Sequence, residues 1–318
     1  MEYDLKNQKS KVVIGILIGM FVIIIMILLS DIKKIIELID HIQVTYLIGA
    51  LLTVFVVYTG RFIKWQIYLK VLDISLKKTD SLKIFISGLC LSITPGRAGE
   101  VLKAYLLKKQ FNIDFSLTAP TIVAERLSGL IGSITVLFIA LVLLEQNEIN
   151  YYIFIPSVTI IGIVFLVLNN KKIEQIIFTQ CNRIKYLNDR FRIIHNLYNS
   201  ASLLTRGRNF VLCCVISVIY WACECLVFNS ILHSLHVTLD FSLVMMVITL
   251  SAIVGGLSMM PASLGVLEMG MVGLLQLYGV DYTTAALATL IHRLFILWSV
   301  VIIGMSVLIT NRRTFKLM

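Results

Sequence analysis

Charge is what this sequence has least of. Only 14% of its 318 residues are Asp, Glu, Lys or Arg, against 58% hydrophobic, and mean hydropathy is +0.91. Soluble domains carry about a quarter charged residues, so a soluble fold is excluded and the chain belongs in a bilayer. Catalytic signatures are missing as well. No Walker-type loop or dinucleotide fingerprint appears, and Ser and Thr are scattered without an adjacent His and carboxylate to activate them. ATP-driven work by this chain alone is therefore not expected, and any transport would run on a gradient, a partner ATPase or downhill scrambling. Metal ligands are sparse: His233, His236 and Asp240 share one short loop with no further ligand nearby, which rarely makes a site. Neither metal nor cofactor is expected. The six cysteines fall almost entirely in apolar stretches or on the side read below as cytoplasmic, where disulfides are not expected. Cys223 and Cys225 flank Glu224, but a two-residue step does not put side chains on one helical face, so they read as packing residues.

What is present is a series of long apolar runs. A crossing needs about 20 largely apolar residues, and such stretches lie at Val12–Leu29, Tyr46–Lys64, Leu117–Leu144, Tyr151–Leu168, Asn209–Leu232 and Thr284–Ile309. The first follows Lys6, Lys9 and Lys11 like a signal peptide, yet no small-residue cleavage site follows it, so it reads as an uncleaved span. The expected fold class is an all-α polytopic membrane protein with about six to eight transmembrane helices, forming a single integral membrane domain over residues 1–318.

A net charge of +10 would suggest nucleic acid in a soluble protein; here the placement of the charges matters more. Basic residues gather at Lys70–Lys83, Lys108–Lys109, Lys171–Arg208 and Arg312–Lys316, while Glu145–Asn150, His233–Asp240 and Gly279–Tyr282 hold no Lys or Arg. The positive-inside rule makes the first set cytoplasmic. Both termini are then inside a bacterial or archaeal cell membrane, and nucleic acid is not an expected partner. Arg61 and Lys64, at the cytoplasmic end of a span, are expected to snorkel to the headgroups. Residues 170–206 carry apolar side chains at three- and four-residue steps among basic ones, which predicts a cytoplasmic amphipathic helix, either lying along anionic headgroups or simply linking two halves.

Two segments recur. Thr94-Pro95-Gly96-Arg97-Ala98-Gly99-Glu100 is echoed by Met260-Pro261-Ala262-Ser263-Leu264-Gly265-Val266-Leu267-Glu268. Each has Pro, then Gly four residues on, then Glu. Downstream, Glu125-Arg126-Leu127 is matched by His292-Arg293-Leu294 at nearly the same separation from the proline. Correlated landmarks of this kind predict a duplication, with repeat elements near 82–144 and 241–309. Three spans separate the two copies, an odd number, so the first opens from the cytoplasm and the second from outside, as in inverted-repeat transporters.

Pro95, Gly96, Gly99, Pro261 and Gly265 break helices within apolar surroundings. The freed backbone groups are tolerated at membrane depth only against buried protein or a cavity, and a helix restarting after such a break favours an anion. The expected substrate-binding residues are Arg97, Glu100, Lys103, Glu125, Arg126, Glu268 and Arg293, since charges at depth face the bundle interior and mark a pathway or a pair. One reading has the arginines meet a phosphate while the carboxylates balance them. The other makes Arg97–Glu125 or Glu268–Arg293 structural ion pairs. His292 is either a proton carrier or a buried contact.

These motifs, Thr94–Lys103 with Glu125-Arg126-Leu127 and Pro261–Glu268, resemble the transmembrane region of the lysylphosphatidylglycerol synthetase/flippase family over most of the chain. The resemblance implies a flippase-like membrane domain that moves aminoacylated phosphatidylglycerol between leaflets, or in standalone relatives other lipids or lipid-linked sugars, with a link to cationic-peptide resistance. In two-domain members a C-terminal cytosolic domain transfers lysine from aminoacyl-tRNA to phosphatidylglycerol. No part of this sequence matches it, so lysyltransferase activity is not expected. The Pro261-Ala262-Ser263-Leu264-Gly265 segment is less glycine-rich than in many relatives. The competing expectations are a translocator of phospholipid or lipid-linked substrate, a membrane subunit partnering a lipid-modifying enzyme such as a phosphatidylglycerol lysyltransferase, and a membrane-embedded transferase. The inverted polar elements favour the first, and an accessory subunit would not need Arg126 and Arg293 at depth.

Overall fold

A bilayer core offers no water to unpaired backbone groups, so apolar runs must close their hydrogen bonds within themselves. The computed structural model, which describes residues 5–93, 99–144, 203–205, 207–258, 260–311 and 315, is helical accordingly, with no strand among the described residues. The elements are α1 (Leu5–Leu28), α2 (Ile32–Asp40), α3 (Val44–Val71), α4 (Lys78–Leu89), α5 (Gly99–Phe111), α6 (Phe115–Thr118), α7 (Pro120–Leu143), α8 (Gly207–Ser234), α9 (Phe241–Leu257), a 3-10 turn (Pro261–Ser263), α10 (Val266–Leu277), α11 (Tyr282–Arg293), a π-turn (Leu294–Trp298) and α12 (Ser299–Thr310).

Four continuous helical stretches are long and apolar enough to cross a membrane: Val44–Val71, Phe115–Leu143, Gly207–Ser234 and Tyr282–Thr310. Leu17–Leu28, Phe241–Leu257 and Val266–Leu277 are apolar but shorter. The expected span Tyr151–Leu168 lies outside the described residues, as does the amphipathic segment 170–206 save for 203–205. The protein is an all-helical, multi-pass membrane protein. Its outer surface fits that environment: Leu52, Phe55, Leu143 and Ile302 are each at least 60% exposed, a display that would drive aggregation in water but faces acyl chains here.

Helix starts follow local chemistry. The Asp31 carboxylate accepts from the amides of Lys33 and Lys34 at 2.9 and 3.4 Å and opens α2, and Asp281 accepts from the Thr284 amide at 3.1 Å to open α11. Pro120 stands in the first turn of α7, where its missing N–H would have had no helical partner. At nine residues, α2 is about 13 Å long and cannot span. It is tied instead to the start of α11, through Asp31 N to Thr283 Oγ1 at 3.1 Å and a Lys34–Asp281 ion pair at 2.9 Å.

The helices fall into two successions of the same kind: a long helix (α3 or α8), a helical hairpin (α4–α5 or α9–α10), and a second long stretch (α7 or α11–α12). Among the described helices, the long pair α3 and α8 make the most extensive contact. The hairpins then cross over: α9 packs on α7 and α4 packs on α12, so the first limb of each hairpin rests on the closing helix of the other succession. Association between helices in lipid relies on close backbone approach. A methyl at Gly132 of α7 would lie 2.6 Å from Ser217 Cβ and 2.7 Å from its carbonyl carbon on α8, and one at Gly304 of α12 would lie 2.7 Å from the Ile86 carbonyl oxygen.

Candidate functional site

The second broken segment can be followed atom by atom. Pro261 cannot continue a helix, and after it Ala262, Ser263 and Gly265 all take positive φ, at 49°, 58° and 84°. Glycine adopts this region freely, but the two L-residues hold it at a cost. The break frees a carbonyl and an amide, and two charged side chains take them up. Arg293 Nη2 donates to the Ala262 carbonyl at 2.8 Å, and the Gly265 amide donates to Glu268 Oε2 at 2.8 Å, the reach-back half of a capping box. The two side chains then meet. Arg293 Nε lies 2.6 Å from Glu268 Oε1 without a well-aligned hydrogen bond, and both residues are buried.

Arg293 ends α11, and the chain passes into the π-turn Leu294–Trp298. Such a turn mis-seats carbonyls within a helix, and side chains collect two of them: the Tyr58 hydroxyl donates to the Ile296 carbonyl at 2.5 Å, and the Ser299 hydroxyl donates to that of Phe295.

Around the first broken segment the pairing is different. Pro95, Gly96 and Arg97 lie outside the described residues, and Gly99 and Glu100 open α5. Lys103 on α5 is 3% exposed and bonds Glu125 Oε2 on α7 at 2.5 Å, with its ammonium 4.5 Å from the centre of the Trp65 ring, so an aromatic face adds to the carboxylate in holding the buried charge. Glu125 Oε1 is buried without a hydrogen bond. Among the described residues, each hairpin is thus joined to the long stretch that follows it by one ion pair. The polarity is reversed: the cation sits on the hairpin in the first succession and on the long helix in the second.

Arg126 was expected to face the interior together with Glu125. It is exposed, because neighbours on a helix point in directions that cannot both meet one partner. Arg61 and Lys64 depart from their expected anchoring role at the headgroups. Arg61 on α3 donates to Glu224 on α8 at 3.0 Å, and Lys64, 3% exposed, donates to the Glu125 carbonyl and the Ser217 hydroxyl at 3.1 Å each. Both are drawn inward because α8 and α7 supply acceptors on the face where α3 packs. Glu224 escaped the sequence reading although its signal was there: a lone carboxylate inside an apolar span is costly and rarely idle.

Depth unites these groups. Arg61, Glu125, Glu224 and Arg293 each lie ten or eleven residues from the nearer end of their apolar stretch, at Val71, Phe115, Ser234 and Tyr282, about 15 Å at 1.5 Å per residue. The three ion pairs therefore form a charged layer near the middle of the bundle, with Arg61 and Glu125 partly exposed and their partners buried. His292 adds a ring that is 2% exposed, edge-on to Phe228 at 5.4 Å, with neither nitrogen hydrogen-bonded. Among the described residues no three His, Cys, Asp or Glu side chains gather as metal ligands, and the five described cysteines are free.

Comparison with known proteins agrees with this architecture. The family described as the lysylphosphatidylglycerol synthase TM region matches residues 12–304. The UPF0104 membrane protein MJ1078 of Methanocaldococcus jannaschii is 26% identical over 222 residues, covering 67% of this chain and 90% of its own. The UPF0104 membrane protein PH1989 of Pyrococcus horikoshii is 22% identical over 323 residues, covering 94% and 96%, and MJ1595 of M. jannaschii is 25% identical over 309 residues, covering 91% and 92%.

Proposed function

The chain belongs to the lysylphosphatidylglycerol synthase TM-region family, and on that premise we propose that it carries an anionic or aminoacylated phospholipid, or a lipid-linked precursor, between the leaflets of the cell membrane. The observation behind this reading is the charged layer at mid-depth. An anchor or a passive subunit gains nothing from burying Lys64, Lys103 and Arg293 in apolar surroundings, where each charge costs energy unless it is paired. A protein that passes a charged headgroup through the bilayer needs such groups on its path.

The crossed hairpins support the same reading. Each hairpin is held to its own succession by an ion pair and leans on the closing helix of the other, an arrangement suited to two related halves that rock about the α3–α8 contact. Loop charges orient the halves oppositely and put both termini in the cytoplasm. Lipid moves along the path, and the ion pairs reform behind it.

The test is a leaflet-resolved lipid assay in vesicles that contain the pure protein, comparing lysyl-phosphatidylglycerol, phosphatidylglycerol and a polyprenyl-phosphate lipid. Protein-dependent exchange of at least one of them is expected, slowed per folded molecule by Glu125→Gln, which also strands the Lys103 charge and lowers stability. If every lipid crosses no faster than in empty vesicles, the translocator reading fails. Product formed from lipid and donor in the same vesicles would make the protein a transferase instead.

A further inference from the structure

The short helix α2 is bound to the bundle at both ends. At its start the Asp31 amide donates to Thr283 Oγ1 and Lys34 pairs with Asp281, where α11 begins. At its end the Gln43 amide donates to the Ser234 carbonyl at 3.0 Å, and His236 Nε2 is hydrogen-bonded to the His41 carbonyl at 3.0 Å, where α8 ends. Tyr282 opens one membrane-crossing stretch, Ser234 closes another and Val44 opens a third. The helix therefore runs level with the ends of three spans, at the height of the headgroup region.

Its three sides differ. A step of one residue turns a helix by about 100°, so residues three and four apart share a stripe. Lys34, Ile35 and Leu38 are half-buried, with Leu38 packed on the hydrophobic core, and form the side toward the bundle. Ile32, Ile36 and Ile39 make a second stripe, exposed by 60%, 55% and 50%. Lys33, Glu37 and Asp40 make a third, also exposed. The stripes lie roughly a third of a turn apart. One side on the bundle, one apolar and one charged is the pattern of a helix lying flat along a membrane boundary. The isoleucine stripe also continues the lipid-facing surface of the chain around it: Leu28 and Leu29 just before α2 are 74% and 67% exposed, and Val44 and Ile48 just after it 57% and 55%.

We propose that α2 is an interfacial helix: Ile32, Ile36 and Ile39 rest on the acyl chains of the leaflet at this end of the bundle, the outer one by the loop charges, and Lys33, Glu37 and Asp40 stand in water. The surface it fits is the apolar boundary of that leaflet, not its headgroup charge. The charged stripe sets one cation against two carboxylates, and Lys34 is committed to Asp281, so anionic lipid offers α2 no net attraction. This seating does not depend on lipid translocation. Through Asp31 and Lys34 it holds the first turn of α11 at a fixed height whether or not lipid crosses.

The test uses the full chain in phosphatidylcholine nanodiscs, with a nitroxide on Ile36→Cys or on Glu37→Cys; the wild type carried through the same labelling supplies the background of the native cysteines. Electron paramagnetic resonance then reads each label's depth from its collisions with oxygen, which dissolves in lipid, and with a water-soluble nickel chelate. The label on Ile36→Cys should favour oxygen, at a depth of about 5–10 Å into the headgroup and acyl boundary, and that on Glu37→Cys should favour the chelate. Adding Ile36→Asp to a chain labelled on Ile39→Cys should shift that label toward water. Replacing part of the phosphatidylcholine by phosphatidylglycerol should leave every depth unchanged. Equal access of the chelate to Ile36→Cys and Glu37→Cys overturns the seating, as does a label on Ile39→Cys that Ile36→Asp does not move. Shielding of the Ile36→Cys label from both reagents would mean that protein covers the stripe, which overturns it as well. Labels that sink as phosphatidylglycerol is added would give control to headgroup charge and overturn the apolar account. None of these readings needs lipid to cross, so a chain that fails the translocation assay can still pass them.

Discussion

The Glu268–Arg293 pair offers a sharp test of why charges are buried here, because its two members also bond a broken backbone. If they formed only an ion pair, exchanging them (Glu268→Arg with Arg293→Glu) would restore the attraction and most of the stability. The structure predicts otherwise. The Gly265 amide needs an acceptor, which Glu268 supplies at 2.8 Å, and the Ala262 carbonyl needs a donor, which Arg293 supplies at 2.8 Å. The exchange sets a guanidinium against the amide and a carboxylate against the carbonyl. Each mismatched buried group costs about 1–3 kcal/mol, so the exchanged protein should be destabilised by roughly 2–6 kcal/mol in total. Glu268→Gln keeps the acceptor but strands the arginine charge, a cost of about 3–5 kcal/mol. Combining it with Arg293→Gln removes the stranded charge and should recover much of that loss. The assay is reversible unfolding in detergent of the exchanged protein and of Glu268→Gln, Arg293→Gln and their combination, the last three read with wild type as a double-mutant cycle. An exchanged protein as stable as the wild type would refute the backbone argument.

Three further outcomes follow from the geometry. Gly132→Ala should destabilise the protein by about 1–3 kcal/mol through overpacking, because its methyl would meet Ser217 backbone and Cβ, whereas Gly49→Ala on α3, with no atom within 4 Å of the added methyl, should be neutral or slightly stabilising; the two are compared by melting in detergent. Trp65→Leu should weaken both the stacking on Lys103 and the Trp65 Nε1 bond to the Ser81 hydroxyl at 3.1 Å, lowering stability by about 2–4 kcal/mol, and a loss below 1 kcal/mol or so would show that the Lys103–Glu125 pair stands without the ring. Burial works to raise the Asp281 carboxyl, but bonds from Lys34 and from the Thr284 amide and hydroxyl outweigh it and hold the carboxyl below its usual range. A depressed carboxylate lends stability above its unfolded pKa and loses it as pH falls through the folded value, so melting curves of Asp281→Asn and wild type should converge below about pH 4, with a gap above it of no more than about 1 kcal/mol for so exposed a pair.

Much of this fold could be read from the sequence. The apolar runs gave the long helices, since about 20 residues without charge in a hydrophobic chain have one stable solution in lipid. Pro261 and Gly265 marked the break, and the recurrence of Glu and Arg after each proline pointed to Glu268 and Arg293. Lys103 and Glu125 were expected at the site without being expected as each other's partners. Arg61 and Lys64 were misplaced, and Glu224 passed unnoticed beside two cysteines. Each miss concerns where a side chain points once a second helix is present. A helix sequence fixes which residues share a face; it does not say which face another helix covers.

The sequence by itself determined that this protein lives in a membrane, where its helices break and that charge is carried to depth, because hydropathy, proline and glycine act through the local chain and its solvent. Only the tertiary structure decided which charges are paired. The crossing of the hairpins onto each other's closing helices, the seating of α3 on α8 and the glycine-lined approach of α7 bring groups from distant parts of the chain to within 3 Å or so of one another. That proximity leaves Lys64 without a carboxylate and ties Glu268 and Arg293 to the backbone they steady, and neither result is written in any single helix.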